Sequence, residues 1–324
     1  MLEKLQEIES QYEKECVKLF DVESSEKCRV NLIHFTSSAT IDAKPDLNKL
    51  VNLKNMLNVL TRLNNTINLF SGDTTTTHPK FAKLFAELNV HARMNGINDM
   101  RNSYFDKYTH SPHTTSTSTT HRKLNTVQLC TNIYEVEPNF YDDINSNYLE
   151  EKNLRPFGQD NHATMIFESN GIKIGFMALA DELVYKELKE KIVNDLIVDD
   201  QSRVEYMDYL SEANKSSQAL RTCGANIIVA LAIMDDEKSV ERLLNESTDL
   251  DLVICVRSSS VGPQLTCEAC DESKRQAKRW LLRSSVVDHE SQFPVSHLSM
   301  ISLVVDSESN LNQITDIAIT KYGI

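Results

Sequence analysis

Apolar residues recur along this chain with two periods. A spacing of three to four residues places side chains on one face of a helix, while continuous or alternating apolar runs of four to eight residues mark strands. Leu5, Ile8, Tyr12, Cys16 and Leu19 fall near one face of a charged segment, which predicts a helix over residues 1–20. Arg29 to Phe35 reads as a buried strand, and the leucines at 47, 50, 53, 57 and 60 predict a helix from Leu47 to Leu63. Thr66 to Phe70 is a second strand, running into Ser71-Gly72-Asp73, and Pro79 to Leu88 is helical. Thr126 to Ile133 reads as one strand. Ala163 to Ser169 and Ile172 to Leu179 form a hairpin, turned at Asn170-Gly171, a pair that tolerates the positive φ of a two-residue turn. The pattern then predicts a helix from Val204 to Thr222, a fully buried strand from Ala225 to Ala232, a helix from Ser239 to Glu246 and a strand from Leu250 to Val256. Val286 to Val287, Leu298 to Asp306 and Ile314 to Thr320 complete the strands.

Alternation of strands and helices over most of the chain argues for an α/β fold. No internal repeat and no Gly/Pro-rich linker divides it. The expected organisation is an N-terminal helical extension, residues 1–28, followed by one large domain over residues 29–324. Within that domain the Thr/Ser/His-rich stretch 109–121 cannot build core and is expected to be a surface loop.

Composition narrows the functional classes. The chain has 324 residues, 40% hydrophobic and 25% charged, which excludes a disordered, collagenous or disulfide-dense protein. Asp and Glu number 47 against 34 Lys and Arg, a net charge of −13, so nucleic acid and anionic membrane are not expected partners. No apolar stretch follows the charged opening Met1 to Glu7, so no signal peptide is expected. The longest clean apolar run, Ile227 to Met234, is too short to span a bilayer. Seven scattered cysteines, an odd number, read as reduced thiols in the cytoplasm. Cys267 and Cys270 form a lone CxxC, which supplies too few ligands for a zinc site and reads as ordinary thiols.

Several segments carry a resemblance. They are the strand leading into Ser71-Gly72-Asp73, Asn102 to Asp106, the hairpin strand Asn170 to Leu179, and Gly224 to Ala232 with the helix after it and Asp249 to Ile254. Together they resemble the N-terminal catalytic domain of the 5′-nucleotidase branch of the calcineurin-like metallophosphoesterases, over about Arg29 to Asp306. The resemblance implies a four-layer sandwich of two packed β-sheets flanked by helices, with the site at the strand ends. It also implies a pair of divalent metals about 3.5–4 Å apart that activate water and clamp phosphoryl oxygens.

The residues at the implied ligand positions do not suit that chemistry. After the first strand, Ser37 stands at the Asp position and Ala39 at the His position. Gly72-Asp73 keeps the second motif with its bridging carboxylate. The third motif, Gly-Asn-His-Asp/Glu, aligns with Asn102-Ser103, which retains the Asn and loses the catalytic His; a second alignment, Gly96-Ile97-Asn98-Asp99, loses the His as well. Ile233 occupies the fourth motif's His position, and Arg257 and Ser259 occupy the fifth motif's two His positions. Of the implied ligand positions, only Asp73 and, in one alignment, Asn102 keep a ligand. Ser, Ala and Ile do not replace carboxylate or imidazole, and a fixed guanidinium repels a cation. The sequence ends near the close of the family's first domain, so a nucleotide pocket built by a further domain is also expected to be missing.

The expectation is a pseudoenzyme with no catalytic residue, no bound metal and no cofactor. It would serve as a structural or interaction module in a cytoplasmic assembly, of which a cytoskeletal or ciliary one is the narrower form. Its contacts with other proteins would run through the N-terminal helix and the 109–121 loop. An alternative is a phosphate- or nucleotide-binding pseudoenzyme in which Arg257 meets the anion; a salt bridge from Arg257 to Asp73 is the simpler use of that charge. A third reading, an active phosphohydrolase with a rebuilt metal site, would draw on His34, His78, His91, His110 and Asp106, which no spacing places together.

Overall fold

The structure, a computed structural model, describes residues 27–37, 47–61, 66–72, 90–108, 126–136, 154–157, 161–169, 171–195, 204–257, 264–268, 279–285, 297–306 and 313–323. The expected helices over residues 1–20 and 79–88, the 109–121 loop and the strand at 286–287 lie outside the described residues.

Two large sheets form the centre. The first contains β1 (Lys27–Ser37), β2 (Thr66–Gly72), β3 (Ala92–Asn95), β4 (Val127–Leu129), β7 (Asn161–His162), β15 (His297–Asp306) and β16 (Gln313–Gly323), in the order β16-β15-β1-β2-β3-β4-β7. β1 runs parallel to β2 and antiparallel to β15. The second contains β8 (Thr164–Ser169), β9 (Ile172–Ala180), β11 (Ile227–Ile233), β12 (Leu252–Arg257), β13 (Gln264–Glu268) and β14 (Arg279–Ser285), in the order β13-β14-β12-β11-β9-β8. Here β9, β11, β12 and β14 are parallel. A small third sheet joins β10 (Val204–Tyr206), β5 (Ile133–Val136) and β6 (Leu154–Pro156).

Side-chain alternation explains the layering. Val30 and Leu32 of β1 and Ile67 and Leu69 of β2 point inward to meet Ile174, Phe176, Val229, Leu231, Leu252 and Ile254 of the second sheet, all at most 3% exposed. The alternate residues of the second sheet, among them Met177, Ile228, Ala230 and Val253, face outward under α4 (Tyr209–Thr222) and α5 (Glu237–Glu246). Because both faces of β11 are covered, its sequence is apolar throughout instead of alternating. On the far side, α1 (Leu47–Thr61) lies against β2, with Leu53, Met56 and Leu57 buried. The result is the expected four-layer α/β sandwich.

Local chemistry sets the element ends. The hairpin forms where expected, with Ser169 opposite Ile172 and Gly171 at φ 74°. Gly175 is required by packing: a Cβ there would lie 3.0 Å from Leu220 Cδ1 and 3.2 Å from Ala225 Cβ. Two sequence expectations are corrected. Val204 to Tyr206 is a strand paired with β5, and α4 begins only at Tyr209, capped by Asp208, whose carboxylate accepts from the backbone N–H of Leu210 and Ser211. Thr126 to Ile133 is two strands, β4 and β5, because Thr131 and Asn132 leave the first sheet to bond β9. The Asn132 side chain accepts from Ala180 N at 2.9 Å and donates to Ala180 O at 2.8 Å. Two further helices, α2 (Ile97–Tyr108) and α3 (Glu182–Asp195), follow β3 and β9 and pack on each other.

Candidate functional site

Because α2 leaves the end of β3, α3 leaves the end of β9 and the two helices touch, the carboxyl ends of both parallel strand sets open at one end of the sandwich. Open α/β sheets present ligand-binding residues at such strand ends. In the first sheet Ser37 is in register with Gly72, and Gly72 with Asn95. Gly72 has φ 128°, a conformation suited to glycine, and its carbonyl accepts from Gly96 N at 2.8 Å. In the second sheet Ile233 lies between Ala180 and Val256, and Arg257, one residue further along β12, pairs with Ser285.

The fold therefore brings Ser37, Gly72, Ile233 and Arg257 to the same end of the molecule. Ala39, Asp73 and Ser259 lie outside the described residues. Asn102 and Ser103 are in the interior of α2, five and six residues beyond Ile97, whereas Ile97 and Asn98 directly follow the strand end beside Gly72. Of the two alignments of the third motif, the strand-end position belongs to Ile97-Asn98. Asn98 Oδ1 accepts from Lys191 Nζ at 3.3 Å, and Lys191 also pairs with Glu187 at 2.8 Å.

Three polar groups near these strand ends carry no motif in the sequence. Asp181, 1% exposed, accepts the backbone N–H of Val184 at 2.9 Å, Asp235 at 2.7 Å and Asp236 at 2.9 Å. It caps α3 and pins the loop leaving Ile233. The segment Asp181-Glu182-Leu183-Val184 carries an N-cap signal that would have located α3. Asn95, 3% exposed, donates through Nδ2 to Gln128 Oε1 at 3.1 Å, while its buried Oδ1 has no partner among the described residues. His34 shares the inward face of β1, and its Nε2 lies 3.1 Å from Ser71 Oγ, with both residues at most 1% exposed. Burial pushes the His34 imidazole down to about 3, so it is neutral at pH 7.

The structure does not assemble the substitute metal ligands. His91 precedes β3, at the opposite end of the strands from the site, and its Nδ1 accepts from Asn68 N at 2.9 Å. His78 and His110 are outside the described residues, and for Asp106 only the backbone of α2 is described. Among the described residues no group of three His, Cys, Asp or Glu side chains could hold a metal ion. At the strand ends Ile233 offers no donor to a cation, while Asn98, near the start of α2, offers an amide oxygen. No helix among them is long and apolar enough to cross a membrane.

No protein-family model matches the chain. No curated protein matches it either. Solved structures do. The calcineurin-like phosphoesterase YfkN from Bacillus subtilis is similar over 92% of this chain and 91% of its own, at 13% identity and a TM-score of 0.59. A 5′-nucleotidase precursor from Thermus thermophilus is similar over 92% of this chain and 55% of its own, at 12% identity and a TM-score of 0.57. The NAD nucleotidase of Haemophilus influenzae is similar over 92% of this chain and 51% of its own, at 14% identity and a TM-score of 0.54. The chain thus spans about half the length of those two nucleotidases. At these identities the likeness concerns the fold, and that fold is the one of calcineurin-like phosphoesterases and 5′-nucleotidases.

Proposed function

We propose that this chain uses a metallophosphoesterase fold without phosphoesterase chemistry, as a structural or interaction module in a cytoplasmic assembly, with cytoskeletal and ciliary assemblies as the narrower candidates. The observation that carries the reading is the residue set at the strand ends. An aliphatic side chain, Ile233, ends β11, Arg257 ends β12, and Ser37 ends β1. A hydrolase of this type needs carboxylate and imidazole there to bind the metals and activate water. The structural neighbours are named as enzymes, so the fold alone favours hydrolysis; the ligand positions argue against it.

A second reading, binding of a nucleotide or phosphate without turnover, rests on Arg257, which β12 carries to the same end of the sandwich as Gly72 and Asn98. A guanidinium can fork onto a phosphate where a metal would otherwise bridge it.

One preparation tests both. The purified chain is saturated with manganese and zinc, desalted, and assayed for retained metal and for binding of adenine nucleotides. The expected result is no retained stoichiometric metal, and stoichiometric retention with phosphatase turnover would overturn the proposal. Nucleotide binding that disappears in Arg257→Ala would establish the second reading; binding that survives the substitution would remove Arg257 from it.

A further inference from the structure

The face of the first sheet turned away from the second carries a small polar group. Ala92 and Met94 of β3 join the core between the sheets, so Arg93 and Asn95 take the opposite face. Gln128 of β4 stands directly opposite Arg93, and its Oε1 accepts from Asn95 Nδ2 at 3.1 Å. On the other side of β3, Phe70 is opposite Arg93 and Gly72 is opposite Asn95. Gly72 brings no side chain, so β2 leaves room beside the Asn95 amide. Two polar atoms of the group are left over. Arg93 Nε, a donor, and Asn95 Oδ1, an acceptor, are both buried and have no hydrogen-bond partner among the described residues. Buried polar atoms normally find partners, so an orphan donor and an orphan acceptor two residues apart on one face mark a place for a ligand. Arg93 and Gln128 are partly exposed and Asn95 is buried, which gives the group an open side and a closed floor.

We propose that Arg93, Asn95 and Gln128 bind a small oxyanion that carries its own proton, with hydrogen phosphate as the type. The Arg93 guanidinium stays charged at neutral pH and supplies N–H donors to the oxyanion oxygens. Burial lowers its pKa, and the carboxylate of Asp99 acts against that. Asn95 Oδ1 is satisfied only by a ligand that donates, and a P–OH group does so. Sulfate at neutral pH has no proton to give, and the Asp99 charge near Arg93 adds repulsion against an anion that cannot donate. The site therefore selects hydrogen phosphate over sulfate. It does not involve Arg257, so it stands apart from either reading of the strand ends.

Isothermal titration calorimetry of the full chain with inorganic phosphate, and separately with sulfate, tests this. Phosphate is expected to bind in one equivalent, and sulfate roughly tenfold more weakly or worse, because it leaves Asn95 Oδ1 buried without a donor. Gln128→Glu keeps an acceptor for Asn95 Nδ2 and sets a carboxylate beside Arg93. It is expected to weaken phosphate binding by roughly tenfold or more, with a native circular-dichroism spectrum. Arg93→Lys keeps the charge but loses the fork and Nε, and a similar weakening is expected. Absence of phosphate binding at millimolar concentration, sulfate binding as tight as phosphate, or a Gln128→Glu variant that binds like the wild type would each overturn the site. Phosphate binding that Arg257→Ala abolishes and Gln128→Glu leaves intact would place the anion at the strand ends and overturn it as well.

Discussion

His34 is a buried imidazole in a strand whose neighbours on the same face are Val30 and Leu32. Its partner is the Ser71 hydroxyl, and its Nδ1 has none among the described residues. Burial disfavours the cation and lowers its pKa to about 3. The linkage follows from that direction. The unfolded chain takes up a proton as pH falls through about 6.5, while the native chain does not until about 3. The stability contribution is therefore complete above the unfolded value and is lost as pH falls between the two, by at most about 1.4 kcal/mol per pH unit. His91, also lowered by burial, acts in the same direction. In His34→Gln the amide can keep a hydrogen bond to Ser71 without titrating. Its urea midpoint is expected to fall less steeply between pH 7 and 4.5 than that of the wild type, and parallel slopes would show that His34 is not the group being titrated.

Asp181 shows what a single element end can hold. Its carboxylate satisfies the opening of α3 and the two backbone N–H groups that follow β11, so one side chain ties a helix, a strand end and a loop. Asp181→Ala leaves three donors without their acceptor and is expected to cost about 3 kcal/mol or more in chemical denaturation, with Asp181→Asn costing less because one acceptor remains. A loss below about 1 kcal/mol in the alanine variant would mean that water replaces the carboxylate. Element ends are also where sequence reading fell short. The run from Val204 to Thr222 reads as one helix because apolar spacing continues through it. The break comes from Asp208, which caps α4, and from the pairing of Val204 to Tyr206 with β5. The strand from Thr126 splits for the same kind of reason: Asn132 finds better partners on β9 than on its own sheet.

At the scale of the molecule, stability resides in the apolar layer between the sheets, where residues such as Leu32, Leu69, Phe176 and Leu231 are fully buried. A metal-held site would add to this, since a ligand at a hundred times its Kd stabilises by about 2.7 kcal/mol. On the proposed reading, thermal unfolding is expected at the same temperature with manganese or with EDTA, and an upward shift in manganese would point to a bound ion. The sequence by itself determined the α/β class, the hairpin at Asn170-Gly171, the buried run of β11 and the identities at the expected ligand positions. Those features are local: period, turn chemistry and residue type are written in consecutive residues. It left open which of Asn102-Ser103 or Ile97-Asn98 stands at the strand end, and it carried no sign of the loop that Asp181 pins, of the buried Asn95 or of the Lys191–Asn98 contact. Tertiary structure decided these, because register between strands and the packing of α2 on α3 join residues far apart in the chain, and no local pattern encodes which backbone donors a distant carboxylate will satisfy.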